Sequence, residues 1–180
     1  MDSTVLLQDF RKMFRMYKVL AEKAMAQVPN DAAFAVMLDE NSNSIAIVVQ
    51  HIAGNLRSRY RDFLTTDGEK PDRNRDGEFE VHEPVTRERV LKLWDEGWAV
   101  ALASLDALTA EDLEKTITIR GESFIVVEAL NRSVTHTAYH VGQIVYLARH
   151  LASTNWTSIS IPKGKSADFA MGNFKGYLKT

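Results

Sequence analysis

Apolar residues recur at three- and four-residue spacing in four stretches of the chain, and each such stripe predicts a helix with one face turned inward. In the first, Phe10, Met13, Phe14, Tyr17, Leu20, Ala21, Ala24 and Val28 line up, and Pro29-Asn30 closes the stretch. The second follows the polar string Asn41-Ser42-Asn43-Ser44, which offers caps, and is expected over residues 45–64 through Val48, Ile52, Leu56 and Phe63, with a stop at Thr65 and Asp67-Gly68. The third opens at Thr86 after Pro84 and carries Val90, Leu93, Trp94, Trp98, Ala101, Leu102, Leu105 and Leu108. The fourth is expected over residues 126–152, with Leu130, Val134, Thr137, Val141, Ile144, Val145 and Ala148 on one face.

Between the third and fourth stretches the period changes to two. Thr116-Ile117-Thr118-Ile119-Arg120 alternates, meets Gly121-Glu122, and continues as Ser123-Phe124-Ile125, a hairpin signal in which the glycine opens the turn. A lone hairpin is marginal in water, so it is expected to pack on the helices. Residues 66–85 have two Asp-Gly turns, many charges and no period. A loop of that length is either functional, as a lid or dimer contact, or a disordered insert. After Ala152 the chain is polar but holds Trp156, Ile159, Ile161, Phe169, Phe174 and Tyr177, so the tail is expected to wrap the helices rather than hang in water. The fold class that follows is all-α, an antiparallel four-helix bundle with a short hairpin before helix four and an extended C-terminal tail.

Composition narrows the class. A chain of 180 residues buries a sizeable core as a single domain, expected to span residues 1–180. With 22 basic and 24 acidic side chains the formal net charge is -2, which provides no long-range field for a polyanion, so no nucleic-acid partner is expected. The longest apolar run, Ala32 to Leu38, is far short of the roughly 20 residues a bilayer requires, so no membrane partner is expected. There is no cysteine, hence no disulfide, thiolate metal site or thiol nucleophile. Together with an amino terminus unlike a signal peptide, this predicts a cytoplasmic protein. Gly164-Lys165-Ser166 looks like the end of a phosphate loop, but the glycine required earlier is Ile159, and no strand-to-helix context surrounds it.

The histidines carry the chemistry. His136 and His140 lie four apart in the fourth helix, so both imidazoles share one face, one turn apart. His51 lies in the middle of the second helix among Val48, Val49 and Ile52, where a polar ring needs a partner if buried. Facing helices can bring the three rings to one point. Such a triad leaves an open coordination position on a divalent ion, the arrangement of catalytic rather than structural sites. On pattern alone, a metal triad and three separately satisfied histidines both remain open. A ferritin-like site is excluded, because the residues three before the histidines are Val48, Phe79, Ser133, Thr137 and Leu147, not glutamates. No His-Glu-x-x-His occurs, which excludes a zincin-type protease. His82 in the loop and His150 near the end of helix four read as structural or exposed. Asn55, one turn after His51, and Gln143, close after His140 on the same helix, are candidates for hydrogen-bonding support or substrate contact. Arg59 continues the His51 and Asn55 face and is a candidate for an anionic substrate group.

The segment Val49-Gln50-His51-Ile52-Ala53-Gly54-Asn55-Leu56 and the block His136-Thr137-Ala138-Tyr139-His140-Val141-Gly142-Gln143-Ile144 resemble the DinB/YfiT-like metalloenzyme superfamily. Asn43-Ser44-Ile45-Ala46-Ile47, Ser58-Arg59, Asp67-Gly68-Glu69-Lys70 and Arg75-Asp76 narrow the resemblance to an uncharacterised bacterial branch of it. What the resemblance implies is a four-helix bundle, often a homodimer, with one divalent ion, Zn or Ni, on His51, His136 and His140. It further implies chemistry on a small-molecule substrate, with a low-molecular-weight thiol or water activated for transfer or hydrolysis. The rival expectations are a metal-binding stress-response protein without turnover, and an interaction module whose histidines coincide by chance.

Overall fold

The computed structural model describes residues 2–81 and 84–168. Four long helices, α1 (Ser3–Met25), α2 (Ile45–Tyr60), α3 (Arg87–Ala107) and α4 (Val126–Ala152), are joined by short 3-10 turns and one two-stranded antiparallel sheet, β1 (Thr116–Ile119) and β2 (Glu122–Ile125). Three of the helices start on side-chain caps. The Asp2 carboxylate accepts from Thr4 N, Ser44 Oγ from Ile47 N and Thr86 Oγ1 from Arg89 N, each satisfying an N–H that the helix itself leaves unpaired. α4 has no such cap, because it grows directly out of β2: the Val126 N–H continues the ladder and donates to Lys115 O at 2.9 Å.

α2 packs against α3 and α4, and α1 packs against α4 and α3. One apolar cluster runs through all four helices. Among its largest members, Trp94, Trp98 and Phe14 are fully buried, and each contributes roughly 1.5–3 kcal/mol of transfer free energy. Phe14 meets Tyr60 and Trp98 edge-on, at 5.7 and 6.2 Å between centroids. The α2–α3 contact is close because Gly97 has no side chain; a Cβ there would stand 2.6 Å from Ala53 Cα.

Several expectations change at their edges. α1 begins at Ser3, a full two turns before the first stripe residue, Phe10. α2 stops at Tyr60 rather than near Leu64, because Asp62 takes φ 50° and turns the chain out of the helix. In the hairpin the turn residues are Arg120 and Gly121, with φ 54° and 77°, and Glu122 already belongs to β2. Two successive positive φ angles match the right-handed twist of the strands, so the glycine is the second turn residue instead of the first.

The loop after α2 is not a disordered insert over its described residues. It is a strap tied to α2. Ser58 Oγ donates to Gly68 O at 2.9 Å and accepts from Lys70 N at 3.0 Å, while Gln50 Nε2 donates to the carbonyls of Gly77 and Glu80, both at 2.9 Å. The strap also reaches the hairpin, where Gly68 N donates to Thr118 O at 2.8 Å. These bonds explain how α2 is buried nearly all round while carrying polar side chains. The tail turns back as expected at Trp156 and Ile159, which pack on the core, and Thr157 exchanges hydrogen bonds with the Gln27 amide, whereas Ile161, also expected to be covered, is exposed. Phe169, Phe174, Tyr177 and His82 lie outside the described residues, and His150 is exposed. No helix among the described residues is long and apolar enough to cross a membrane.

Candidate metal centre

The crossing of α2 with α4 brings His51, His136 and His140 together, with ligating nitrogens all within 4.8 Å of one another. His51 is buried and the other two are half-buried. The three ring centroids lie 4.6 to 5.3 Å apart. Phe79 covers the outer side of His51, at 4.9 Å between centroids, and Tyr139 stands edge-on to His140 at 4.9 Å.

Two of the rings are oriented through their far nitrogens. His51 Nδ1 lies 2.9 Å from Glu78 Oε2, and His140 Nδ1 lies 2.8 Å from Gln143 Oε1. Burial alone would raise the Glu78 pKa. The Arg73 guanidinium and His51 outweigh that, and they hold Glu78 below its ordinary value and ionised. An ionised carboxylate and an amide oxygen only accept, so in each pair the imidazole Nδ1 donates, which in a neutral ring leaves the lone pair on Nε2. Arg73 in turn grips Glu78 as a fork, Nε to Oε1 at 2.7 Å and a terminal nitrogen to Oε2 at 2.8 Å. The network continues to Glu69, which also receives Arg59 at 2.9 Å and Arg120 at 3.1 Å.

His51 Nε2 and His136 Nε2 face each other at 3.3 Å. Tetrahedral ligation with Zn–N of about 2.0–2.1 Å requires a nitrogen-to-nitrogen edge of about 3.3 Å, so the pair is already at ligand spacing. His136 is pushed down to about 3, first by burial and then by its histidine neighbours, Arg73 and Arg59. His140 is also lowered by burial, against the opposing bond from Gln143. Both rings are therefore neutral at pH 7, the form that donates a lone pair to a cation.

A cavity of about 180 Å³ opens beside His51 and His136. Asn55, Arg59 and Ser133 form part of its wall, together with Arg73, Arg75, Arg120 and Arg132. Asn55 therefore faces the cavity, and its amide has no hydrogen-bond partner among the described residues. Arg59 also lines it, but its guanidinium is engaged by Gly68 O at 2.5 Å and by Glu69. Gln143 sits behind His140, supporting the ring.

The chain's own pattern did not point to Glu78 or Arg73. Both lie in an aperiodic charged stretch, and their roles arise only when the strap folds onto α2. One trace existed: Gly54, a helix-interior glycine that costs about 0.5–1 kcal/mol relative to alanine and so signals a close approach. A Cβ at Gly54 would lie 2.1 Å from Glu78 Oε1.

With this geometry in place, the comparison with known families is specific. A family model described as a protein of unknown function, DUF1572, matches residues 2–165. The chain belongs to the DUF1572 family. That match takes in all four helices, the strap and the three histidines. No curated protein and no solved structure matches the chain.

Proposed function

We propose that this DUF1572 protein is a divalent-metal-dependent enzyme with a DinB-like antiparallel four-helix bundle as its single domain. His51, His136 and His140 hold one ion, Zn or Ni, and leave a position open toward the cavity. The observation that carries this reading is the pairing of His51 with Glu78 and of His140 with Gln143, which aims the Nε2 lone pairs of both rings inward. Metal-ligating histidines characteristically donate their other N–H in this way.

The ion, when bound, supplies Lewis acidity that makes water or a thiol nucleophilic at neutral pH. The chain does the rest. Glu78 and Arg73 keep His51 in one tautomer and orientation, Gln143 does the same for His140, and Phe79 shields the outer face of His51. Asn55 presents an unpaired amide to a bound molecule. Since the chain has no cysteine, any sulfur in the reaction arrives as a small-thiol cosubstrate. Assembly as a homodimer in the cytoplasm belongs to the same proposal.

Metal analysis of protein purified without a nickel column tests it. One equivalent of ion is expected, lost in His136→Ala and His51→Ala with the helical circular dichroism unchanged. A replete preparation without stoichiometric metal would sink the reading. A transfer screen with several small thiols and electrophiles then separates an enzyme from a binder.

A further inference from the structure

The cavity beside the histidines is lined by Arg59, Arg73, Arg75, Arg120 and Arg132, and among the described residues no carboxylate lines it. In a chain of net charge -2, this is a local concentration of positive charge. Among the described residues four carboxylates, Glu69, Glu78, Asp67 and Asp76, stand against the five arginines. Glu78 is taken by Arg73 and His51, and Glu69 is shared by Arg59, Arg73 and Arg120. Arg75 has one long contact, 3.8 Å to the exposed Asp76. The Arg132 guanidinium touches no acid among the described residues and rests only against the Phe124 ring, 5.4 Å from its centroid. Cations gathered at a concave wall in excess of their counter-charge focus potential on the space between them.

We propose that this cavity binds the oxyanion of a small substrate, a carboxylate or phosphate held by Arg132 and Arg120 at the mouth and by Arg59 on the wall, with the rest of the molecule directed at His51 and His136. Planar guanidinium forks suit both oxyanions. The volume, about 180 Å³, is below the roughly 300–1,000 Å³ of sites for drug-sized ligands, so the cavity takes a small acid or the acidic head of a longer molecule. The unpartnered amide of Asn55 supplies a further neutral contact. The inference deepens the metal-enzyme reading and rests on it for the word substrate, but the anion site itself is measurable without turnover.

The test is calorimetric titration of the full chain with inorganic phosphate and, separately, with malonate, at low ionic strength, with the metal content of the same preparation determined. One of the two anions is expected to bind with a dissociation constant below about 1 mM. The arm that binds distinguishes phosphate from carboxylate. Arg120→Met with Arg132→Met should weaken it by about tenfold or more, the loss of charge-assisted hydrogen bonds. Arg61→Met, which lies outside the cavity and pairs with Asp72, should leave it unchanged. Arg132→Met alone serves if the double variant melts early. Absence of binding by metal-replete protein, or binding indifferent to the arginine substitutions, overturns the anion site and leaves the metal reading standing. Arginine-dependent binding by protein that takes up no metal does the reverse.

Discussion

The carboxylate of Glu78 occupies the space a side chain at Gly54 would fill: a Cβ on Gly54 would lie 2.1 Å from Glu78 Oε1 and 2.7 Å from its Cδ. Gly54 lies one helical turn after His51, so the notch it leaves in α2 admits the acid that fixes the His51 ring. Gly54→Ala should therefore disturb both the His51 ring and the Arg73 fork that share this carboxylate. Alanine favours the helix by about 0.5–1 kcal/mol, whereas the displaced carboxylate loses its bond to Nδ1. Metal affinity is expected to fall about 10–100-fold, as for other outer partners of ligating histidines, and the melting temperature is expected to fall as well, because the displaced Oε1 is the atom that Arg73 Nε holds. Competition against a chromophoric chelator measures the first and calorimetry the second; unchanged affinity would remove Glu78 from the site.

Glu78→Gln should combine both losses. The amide keeps an acceptor for His51 but removes the charge that answers Arg73, whose side chain is 4% exposed. Breaking a buried pair in this way costs about 3–5 kcal/mol, moderated here because Glu69 still contacts Arg73. Chemical denaturation should show a stability loss at or below the low end of that range, together with weaker metal binding. Equal stability would mean that the fork is solvated.

At the α2–α3 crossing the expected outcome is purely structural. Gly97→Ala places a Cβ 2.6 Å from Ala53 Cα, backbone that cannot rotate aside, and overpacking of this kind typically costs about 1–3 kcal/mol. The midpoint of urea unfolding should drop accordingly, with the metal stoichiometry of the folded fraction preserved.

Acid sensitivity should report on Asp67, which ties the strap to the hairpin. Its oxygens accept from the N–H groups of Glu69 at 2.6 Å, Arg120 at 2.9 Å and Gly121 at 2.8 Å, and the bonds from Glu69 and Gly121 hold its pKa below the ordinary carboxylate value. A carboxyl with a depressed folded pKa stabilises fully above its unfolded pKa, and that contribution is lost as pH falls through the folded one. Asp67→Asn should thus be less stable than the parent at pH 6, with the gap narrowing below about pH 4. Melting curves of both proteins from pH 6 to 3 check it; a gap independent of pH would assign the loss to hydrogen-bond geometry instead of charge.

Local signals made much of the architecture legible. The cap of α2 is Ser44, from the polar string expected to supply it, the third helix opens at Thr86 as expected, and α4 spans residues 126–152 as its stripe predicts, because capping and amphipathic period are properties of neighbouring residues. The histidine triad was legible for the same reason in part: four-residue spacing puts His136 and His140 on one face without reference to anything else. The end of α2 was not, since Phe63 and Leu64 extend the apolar pattern past a backbone reversal at Asp62 that periodicity does not register.

What the amino-acid sequence determined by itself is thus the set of helices, the hairpin, and which helices carry the three imidazoles. Only the tertiary structure decided what surrounds them. Glu78 reaches His51 across 27 residues of chain with Arg73 forked onto it, and five arginines from the strap, α2, the hairpin turn and α4 meet at one cavity. Contacts of that kind leave no period in the sequence, because they depend on where a loop lands after helices pack. Gly54, mute as a letter in a helix, takes its meaning from the acid that lands on it.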